Sequence, residues 1–109
     1  MRRLKVEIGA EADHDLRQIY RWVYEASRAP HVARRFLDRL IGRCERVGDA
    51  PHAGRPRDDL EPGLRTVPFE RTAVIAYQVE KDRVLITNVF YGGRDFEALY
   101  RGEPPEDEA

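Results

Sequence analysis

The stretch that decides the fold runs from residue 72 to residue 91 and reads "TAVIAYQV" (72–79), "EKD" (80–82) and "RVLITNVFY" (83–91). The first run is almost continuously apolar, which is typical of a central strand that is covered on one face. The second run has the same β-strand character, and a short polar segment separates the two. Two such runs joined by a short turn predict an antiparallel β-hairpin.

A further strand is predicted immediately upstream, at "LRTVPF" (64–69). Pro68 has no backbone N–H to donate, so this strand is expected to lie at an edge of the sheet or to end there. The segment before it, "DAPHAGRPRDDLEPG" (49–63), contains three prolines, two glycines and four acids. That composition predicts a loop, and a loop of this length in a compact domain is often functional.

Two amphipathic helices are predicted further upstream, over residues 11–29 and 31–48. In both, apolar residues recur at steps of three and four and form one stripe. Pro30 separates them and suits the first turn of the second helix. Because almost no loop joins the helices, they are expected to pack as an antiparallel hairpin. A short β-type segment, "RLKVEI" (3–8), precedes both.

The order β-α-α-β-β-β predicts an α+β fold, in which the N-terminal helical hairpin packs on one face of a twisted antiparallel sheet. One domain is expected over residues 1–102. Residues 103–109 hold four acids and no base, so they predict a disordered acidic tail. Without those four acids the net charge changes from −1 to +3, which makes the rest of the chain mildly basic.

Composition excludes several classes of protein. Apolar residues make up 41% of the chain, as in globular proteins, and no apolar run is long enough for a membrane span. Since no long apolar segment follows the N-terminus, no signal peptide is predicted and a cytoplasmic location is expected. The single cysteine, Cys44, lies on an apolar stripe and excludes an internal disulfide. Phosphate-loop, dinucleotide and metal-ligand patterns are absent, so neither a cofactor nor a metal is predicted.

Three motifs carry a family resemblance: "ADHDLRQIYRWV" (12–23), "APHAGRPRDDLEPGLR" (50–65) and "VIAYQVEKDRVLITNVFYGGRD" (74–95). In this order they resemble the ParE/RelE superfamily of bacterial type II toxins, over residues 4–100, and the ParE-like subgroup is favoured. The resemblance implies a cognate antitoxin whose C-terminal segment wraps around the toxin. It also implies one of two targets, because ParE-like members poison DNA gyrase and RelE-like members cut mRNA in the ribosomal A site.

A RelE-like activity would need a cluster of cations and a C-terminal tyrosine. Cleavage of RNA by its 2′-hydroxyl requires a base, an acid and positive charge around the phosphate. By resemblance, the catalytic candidates are Arg65, Arg94 and Tyr100. Val67 and Val74 stand where that pattern has a lysine and an arginine. The missing cations favour a ParE-like toxin that needs no catalytic activity of its own.

For a ParE-like toxin the candidates for contact with the target are Arg55, Arg57, Arg65 and Arg94. Structural alternatives stay open for each of them. Arg55 and Arg57 could be solvated or could hold the loop through backbone carbonyls. Arg65 could instead pair with acids of the loop, and Arg94 could pair with Asp95 or with acids of the helices.

Two aromatic residues are expected to contribute to the core or to partner binding. Tyr77 on the central strand is expected in the core, with a hydrogen-bond partner for its hydroxyl. Trp22 is expected either at the edge of the helical hairpin or on a surface that binds a partner. The antitoxin is expected to fold onto a sheet edge, which could be strand 64–69 or the first or the last strand, or into an apolar groove. A third interpretation, from a different class, is a toxin fold that has lost toxicity and remains a binding protein.

Overall fold

The predicted β-hairpin lies at the centre of a five-stranded sheet. The computed structural model describes residues 3–93 and 96–102, so the predicted acidic tail (103–109) lies outside the described residues. In chain order the elements are β1 (Lys5–Ile8), α1 (Ala10–Ser27), α2 (Pro30–Arg46), β2 (Arg55–Pro56), β3 (Leu64–Phe69), β4 (Ala73–Val79), β5 (Arg83–Tyr91) and α3 (Phe96–Tyr100). Two short 3-10 turns, Val47–Asp49 and Pro51–Ala53, connect α2 to β2.

The strands are arranged in the order β1-β5-β4-β3-β2. Strands β2, β3, β4 and β5 pair with one another in antiparallel fashion, whereas β1 pairs with residues 83–86 of β5 in parallel. The predicted α+β class, with its helical hairpin and its hairpin of long strands, is confirmed. The sheet was predicted to be antiparallel, and the parallel pairing of β1 corrects this at one edge. The direction of β1 depends on where the chain returns after the helices and not on the composition of the strand.

A β-bulge in β5 determines which of its side chains reach the core. The register with β4 shifts between Ala76 and Tyr77, so Thr87 has no partner across the two strands. The extra residue bends the strand and changes the alternation of its side chains. As a result Ile86 and Val89 both face the helices, although residues three positions apart in a regular strand would face opposite sides.

The helical hairpin packs on one face of the sheet through the predicted apolar stripes. Leu16 and Ile19 of α1 and Leu40 and Cys44 of α2 are buried in one cluster with the central strands. Burial raises the pKa of the Cys44 thiol to about 12, so the thiol is protonated at neutral pH and behaves as a core residue. Within the described ranges, the helices lack the length and apolar character that crossing a bilayer would require.

The opposite face of the sheet is also covered in part, which the sequence did not predict. A second, smaller apolar cluster joins Leu64, Ala76 and Phe90 of the central strands. Helix α3 lies over this cluster. Its Phe96 stacks on Phe90 with 5.2 Å between ring centroids, and Tyr100 meets the same ring edge-on at 6.3 Å. The sheet is therefore a middle layer between the helical hairpin and α3.

Strand β2 corrects the predicted position of β3 in the sheet. Residues 55–56 pair with residues 65–66, so β2 is the outer strand there and β3 is exposed only beyond that pairing. The outer side of β3 includes the carbonyl of Leu64, which accepts the N–H of Arg57 at 2.7 Å. Alternation along the strand places the backbone of Pro68 on this same side. Since proline has no N–H, it limits pairing with a further strand at the exposed part of β3.

Candidate functional site

The long loop between α2 and β3 is fixed by the hydroxyl of Tyr77. The side chain is completely buried, and its hydroxyl donates to the carbonyl of Pro51 at 2.8 Å and accepts the N–H of Gly54 at 3.0 Å. Burial is the main reason why the pKa of Tyr77 is raised. The expectation of a core tyrosine with a satisfied hydroxyl is confirmed, and the loop is an ordered part of the fold.

Arg65 holds the same loop from the neighbouring strand. One of its guanidinium nitrogens donates to the carbonyls of His52 at 3.0 Å and Gly54 at 2.8 Å. The alternative that Arg65 pairs with acids of the loop is therefore wrong, because Arg65 contacts the loop but bonds its backbone carbonyls. Asp58 accepts the N–H of Gly63 at 2.8 Å instead. A catalytic or target-contact role of Arg65 stays a prediction.

Arg57 belongs to this loop, and only 7% of its surface is exposed. Its guanidinium bonds both oxygens of Asp59, at 3.0 and 2.8 Å, and one oxygen of Glu97 in α3 at 2.7 Å. It also lies 6.0 Å from the centroid of the Phe96 ring. These contacts tie the loop to α3 through carboxylates, not through the carbonyls that the sequence suggested. Contact of Arg57 with a target stays a prediction, and it would require the guanidinium to leave both acids.

The pairing of Arg57 with Asp59 makes the stability of the protein depend on pH. The hydrogen bond from Arg57 is the main reason why the pKa of Asp59 is lowered. A carboxyl whose pKa is lower in the folded state stabilises the fold above its usual pKa, and it loses that contribution as the pH falls through the folded value. We expect the thermal midpoint of wild type to exceed that of Arg57→Gln at pH 7, and the gap to narrow below about pH 4.

Thermal unfolding of both proteins between pH 3 and pH 7 measures this gap. The pH-dependent part should be small, since the Asp59 side chain is 62% exposed and solvent screens the pair. The pair formed by Arg39 and Glu70 is present in both proteins, so its titration cancels in the difference. A gap that stayed constant or widened as the pH fell would contradict the assigned pairing.

Of the two other arginine candidates, Arg55 lies within the described residues and Arg94 does not. Arg55 is exposed on β2, and no residue in the described part of the chain bonds its side chain. It is therefore free to contact a target, which stays a prediction. Arg94 lies outside the described residues, together with its suggested partner Asp95.

Tyr100 places its hydroxyl in the interior and not at the surface. The hydroxyl oxygen is buried and forms no hydrogen bond with any of the residues that the structure describes. Burial is the main reason why the pKa of Tyr100 is raised, and the charge of Glu61 adds to the effect. The Thr87 side chain acts in the opposite direction and lowers the pKa, although its geometry is outside that of a hydrogen bond. Proton transfer by Tyr100 would therefore require α3 to move.

The described residues of the RelE-like pattern lie on opposite faces of the sheet. Arg65 shares its face with Val67, which is buried in the cluster under the helices. Tyr100 and Val74 belong to the cluster on the other face. The structure thus directs the Arg65 side chain to the loop and packs the Tyr100 side chain between α3 and the other face of the sheet, so it does not bring the two together.

The turn between β3 and β4 has an unusual backbone conformation that was not predicted from the sequence. Glu70 and Arg71 both have positive φ, at 48° and 59°. Such turns usually carry asparagine or glycine, and the segment "FERT" (69–72) contains neither, so no turn pattern could be recognised. Arg71 is exposed at this turn and was not among the predicted site residues.

Comparison with known proteins identifies the family. A family model described as "ParE toxin of type II toxin-antitoxin system, parDE" matches residues 6–96. The chain belongs to the ParE toxin family. It is therefore a toxin of a type II toxin–antitoxin system, and the predicted superfamily is confirmed.

Two similar proteins agree with this placement of the toxin. Toxin RelE3 of Caulobacter vibrioides is 30% identical over 84 residues, which are 77% of this chain and 89% of that protein. A solved structure described as "Chromosomal ParDE TA system from P. aeruginosa" matches with a TM-score of 0.70, covering 82% of this chain and 96% of that one. Its sequence identity is 20%, so this likeness bears on the fold alone.

Proposed function

We propose that this toxin arrests growth by poisoning DNA gyrase and is neutralised by a cognate antitoxin. The observation that carries the choice of gyrase over mRNA is the position of Arg65 and Tyr100 on opposite faces of the sheet. General acid–base cleavage of RNA needs its groups within hydrogen-bonding reach of one phosphate. A toxin that acts by binding a protein has no such requirement.

A second candidate function is supported by the relative named Toxin RelE3, which is 30% identical. If that name reflects a shared activity, this toxin would cut mRNA on the ribosome. The buried hydroxyl of Tyr100 and the apolar side chains of Val67 and Val74 weigh against it. The third candidate, a binding protein without toxicity, differs from both in predicting normal growth.

The antitoxin is proposed to add a strand to the outer side of β1. The outer strands of the sheet are β1 and β2. Strand β2 consists of two residues and ends at Pro56, and Pro68 interrupts the exposed part of β3 beyond it. Strand β1 contains no proline. The N–H of Leu4, just before β1, already donates to the carbonyl of Gly48 at 3.0 Å, so a further strand would have to pair beyond Leu4. Addition of a strand along an exposed edge is a common mode of peptide binding.

Purified toxin tests the choice of target directly. We expect it to inhibit gyrase supercoiling and to trap cleaved DNA, while mRNA in a translating extract stays intact. Cuts at codon positions with unaffected supercoiling would contradict the gyrase proposal. Normal growth of cells that express folded toxin without antitoxin would contradict both toxic functions and favour the third.

Tyr100→Phe separates the two toxic functions in cells. The substitution removes one buried oxygen that has no hydrogen bond, so we expect an unchanged or slightly higher thermal midpoint. Under the gyrase proposal, growth arrest by Tyr100→Phe should equal that of wild type. Loss of arrest with the fold intact would indicate that the hydroxyl takes part in catalysis, as in the RelE-like alternative.

A further inference from the structure

The turn between β3 and β4 keeps two residues in a costly backbone conformation. Glu70 and Arg71 have φ of 48° and 59°, where side chains other than glycine and asparagine are strained. The turn is closed by the N–H of Thr72, which donates to the carbonyl of Phe69 at 2.9 Å. Strain that persists in an exposed turn is often associated with a functional contact.

Helix α2 holds the turn through the acid of the turn, Glu70, and does not bond the cation of the turn, Arg71. Arg39 donates two hydrogen bonds to the two carboxylate oxygens of Glu70, at 2.8 and 3.1 Å. The bond from Arg39 is the main reason why the pKa of Glu70 is lowered, so the acid is ionised and neutralised by its partner. Arg71 is exposed, and among the described residues none bonds its guanidinium.

An aromatic cluster lies beside the turn at the same end of the sheet. Tyr91 pairs across the sheet with Ala73, two positions after Arg71. Its ring stacks on Trp22 of α1 with 6.0 Å between centroids and an interplanar angle of 19°, and it meets Phe36 edge-on at 5.8 Å. Trp22 and Tyr91 are half-buried, so each residue is partly accessible to solvent while its ring is packed within the cluster.

We infer that Arg71, Trp22 and Tyr91, here called the turn surface, bind an acidic patch on the protein target of this toxin. Arginine, tryptophan and tyrosine are the residues that most often contribute the binding energy of protein interfaces. Because Glu70 is neutralised, Arg71 gives the turn a net positive charge, which is complementary to carboxylates on a partner. The inference rests on the proposed function in taking a protein as the target.

A nucleic acid fits the turn surface less well. Binding along a phosphate backbone needs several free cations in a row. In the described part of the turn surface, Arg71 is the cation without an acid, and the two rings are packed against each other.

Three substitutions of Arg71 test the inference against a purely structural role. Glycine accepts positive φ without strain, so Arg71→Gly should raise the thermal midpoint by about 3 to 6 °C. The same substitution removes the guanidinium, so the toxin concentration that halves gyrase supercoiling should rise about 10- to 30-fold. Arg71→Glu should lose more, and Arg71→Lys, which keeps the charge without the fork, should lose less. Arg34→Ala changes an exposed arginine of α2 that also lacks a partner among the described residues, and it should inhibit like wild type.

The outcomes separate this inference from the proposed function. If Arg71→Gly is more stable than wild type and equally potent, the turn surface is overturned while the gyrase proposal stands. If wild type does not inhibit gyrase, the gyrase proposal fails. The turn surface is then tested by comparing growth arrest between the variants. Weaker arrest by Arg71→Gly than by Arg34→Ala would support it with another protein target, and equal arrest, or no arrest by wild type, would overturn it. If Arg71→Gly weakened binding to duplex DNA, in the absence of any protein partner, as much as it weakened inhibition, the assignment of a protein partner would be overturned.

Discussion

Gly54→Ala is expected to lower the free energy of unfolding by about 2 to 4 kcal/mol. A β-carbon at this position would lie 2.2 Å from the hydroxyl oxygen of Tyr77 and 2.9 Å from its Cζ. The backbone of Gly54 has φ −67°, which alanine adopts readily, so the expected cost comes from the collision and not from the conformation. Tyr77 cannot withdraw easily, because it is completely buried and bonded to Pro51. Equilibrium urea unfolding followed by circular dichroism measures the change.

Gly42→Ala is the matched control for this substitution. Gly42 lies inside α2, and a β-carbon there would meet a guanidinium nitrogen of Arg46 at 3.6 Å, an ordinary contact. Replacing an interior helical glycine with alanine stabilises a helix by about 0.5 to 1 kcal/mol. The two glycine-to-alanine substitutions should therefore have opposite signs. Equal stability of Gly54→Ala and wild type would contradict the packing of the loop against Tyr77.

The helices and the long strands could be predicted because their signals are local. Apolar residues at steps of three and four gave both helices to within about two residues of their ends. The predicted strands 64–69 and 83–91 agree with β3 and β5 at both ends. Pro30 was expected in the first turn of the second helix, and it lies there. In each case the periodicity or the breaker that predicts the element lies within the element itself.

The loop from residue 49 to residue 63 could not be predicted in the same way. Its ordered part depends on Tyr77 and Arg65, which reach it from β4 and β3 across more than ten positions of the chain. Its prolines and glycines indicate that helix and long strands end, but they do not indicate that a two-residue strand will pair with β3. Likewise, the cover formed by α3 rests on contacts that are distant in the chain, among them the pairing of Arg57 with the partly exposed Glu97.

The candidate site was predicted less completely than the fold, because arginine side chains can satisfy several roles. Arg65 and Arg57 were proposed for target contact, and the structure gives both of them bonds within the protein. Neither role excludes the other, since a residue that orders the loop also determines how Arg55 is presented. The turn at Glu70 and Arg71 was missed because its conformation contradicts the local preference of its residues.

Tyr77→Phe is expected to lower the free energy of unfolding by about 1 to 3 kcal/mol. The substitution keeps the ring and its packing but removes the hydroxyl, so the N–H of Gly54 and the carbonyl of Pro51 lose their partner inside the protein. A buried donor or acceptor without a partner keeps the full cost of its desolvation. Arg65 still bonds the carbonyl of Gly54, so the loop should remain in place while the amide of Gly54 becomes less protected. Hydrogen exchange at that amide and urea unfolding measure the two effects.

Combining Tyr77→Phe with Gly54→Ala tests whether one oxygen atom causes both losses. The β-carbon of Ala would collide first with the hydroxyl oxygen, and Tyr77→Phe removes that atom. Because Cζ and Cε1 would remain at 2.9 and 3.0 Å, the collision is relieved only in part. We therefore expect the double variant to lose less stability than the sum of the single variants, with a coupling of about 0.5 to 3 kcal/mol. Additive losses, or a Gly54 amide that stays fully protected in Tyr77→Phe, would show that the hydroxyl does not hold the loop, and the presentation of Arg55 would then need another cause.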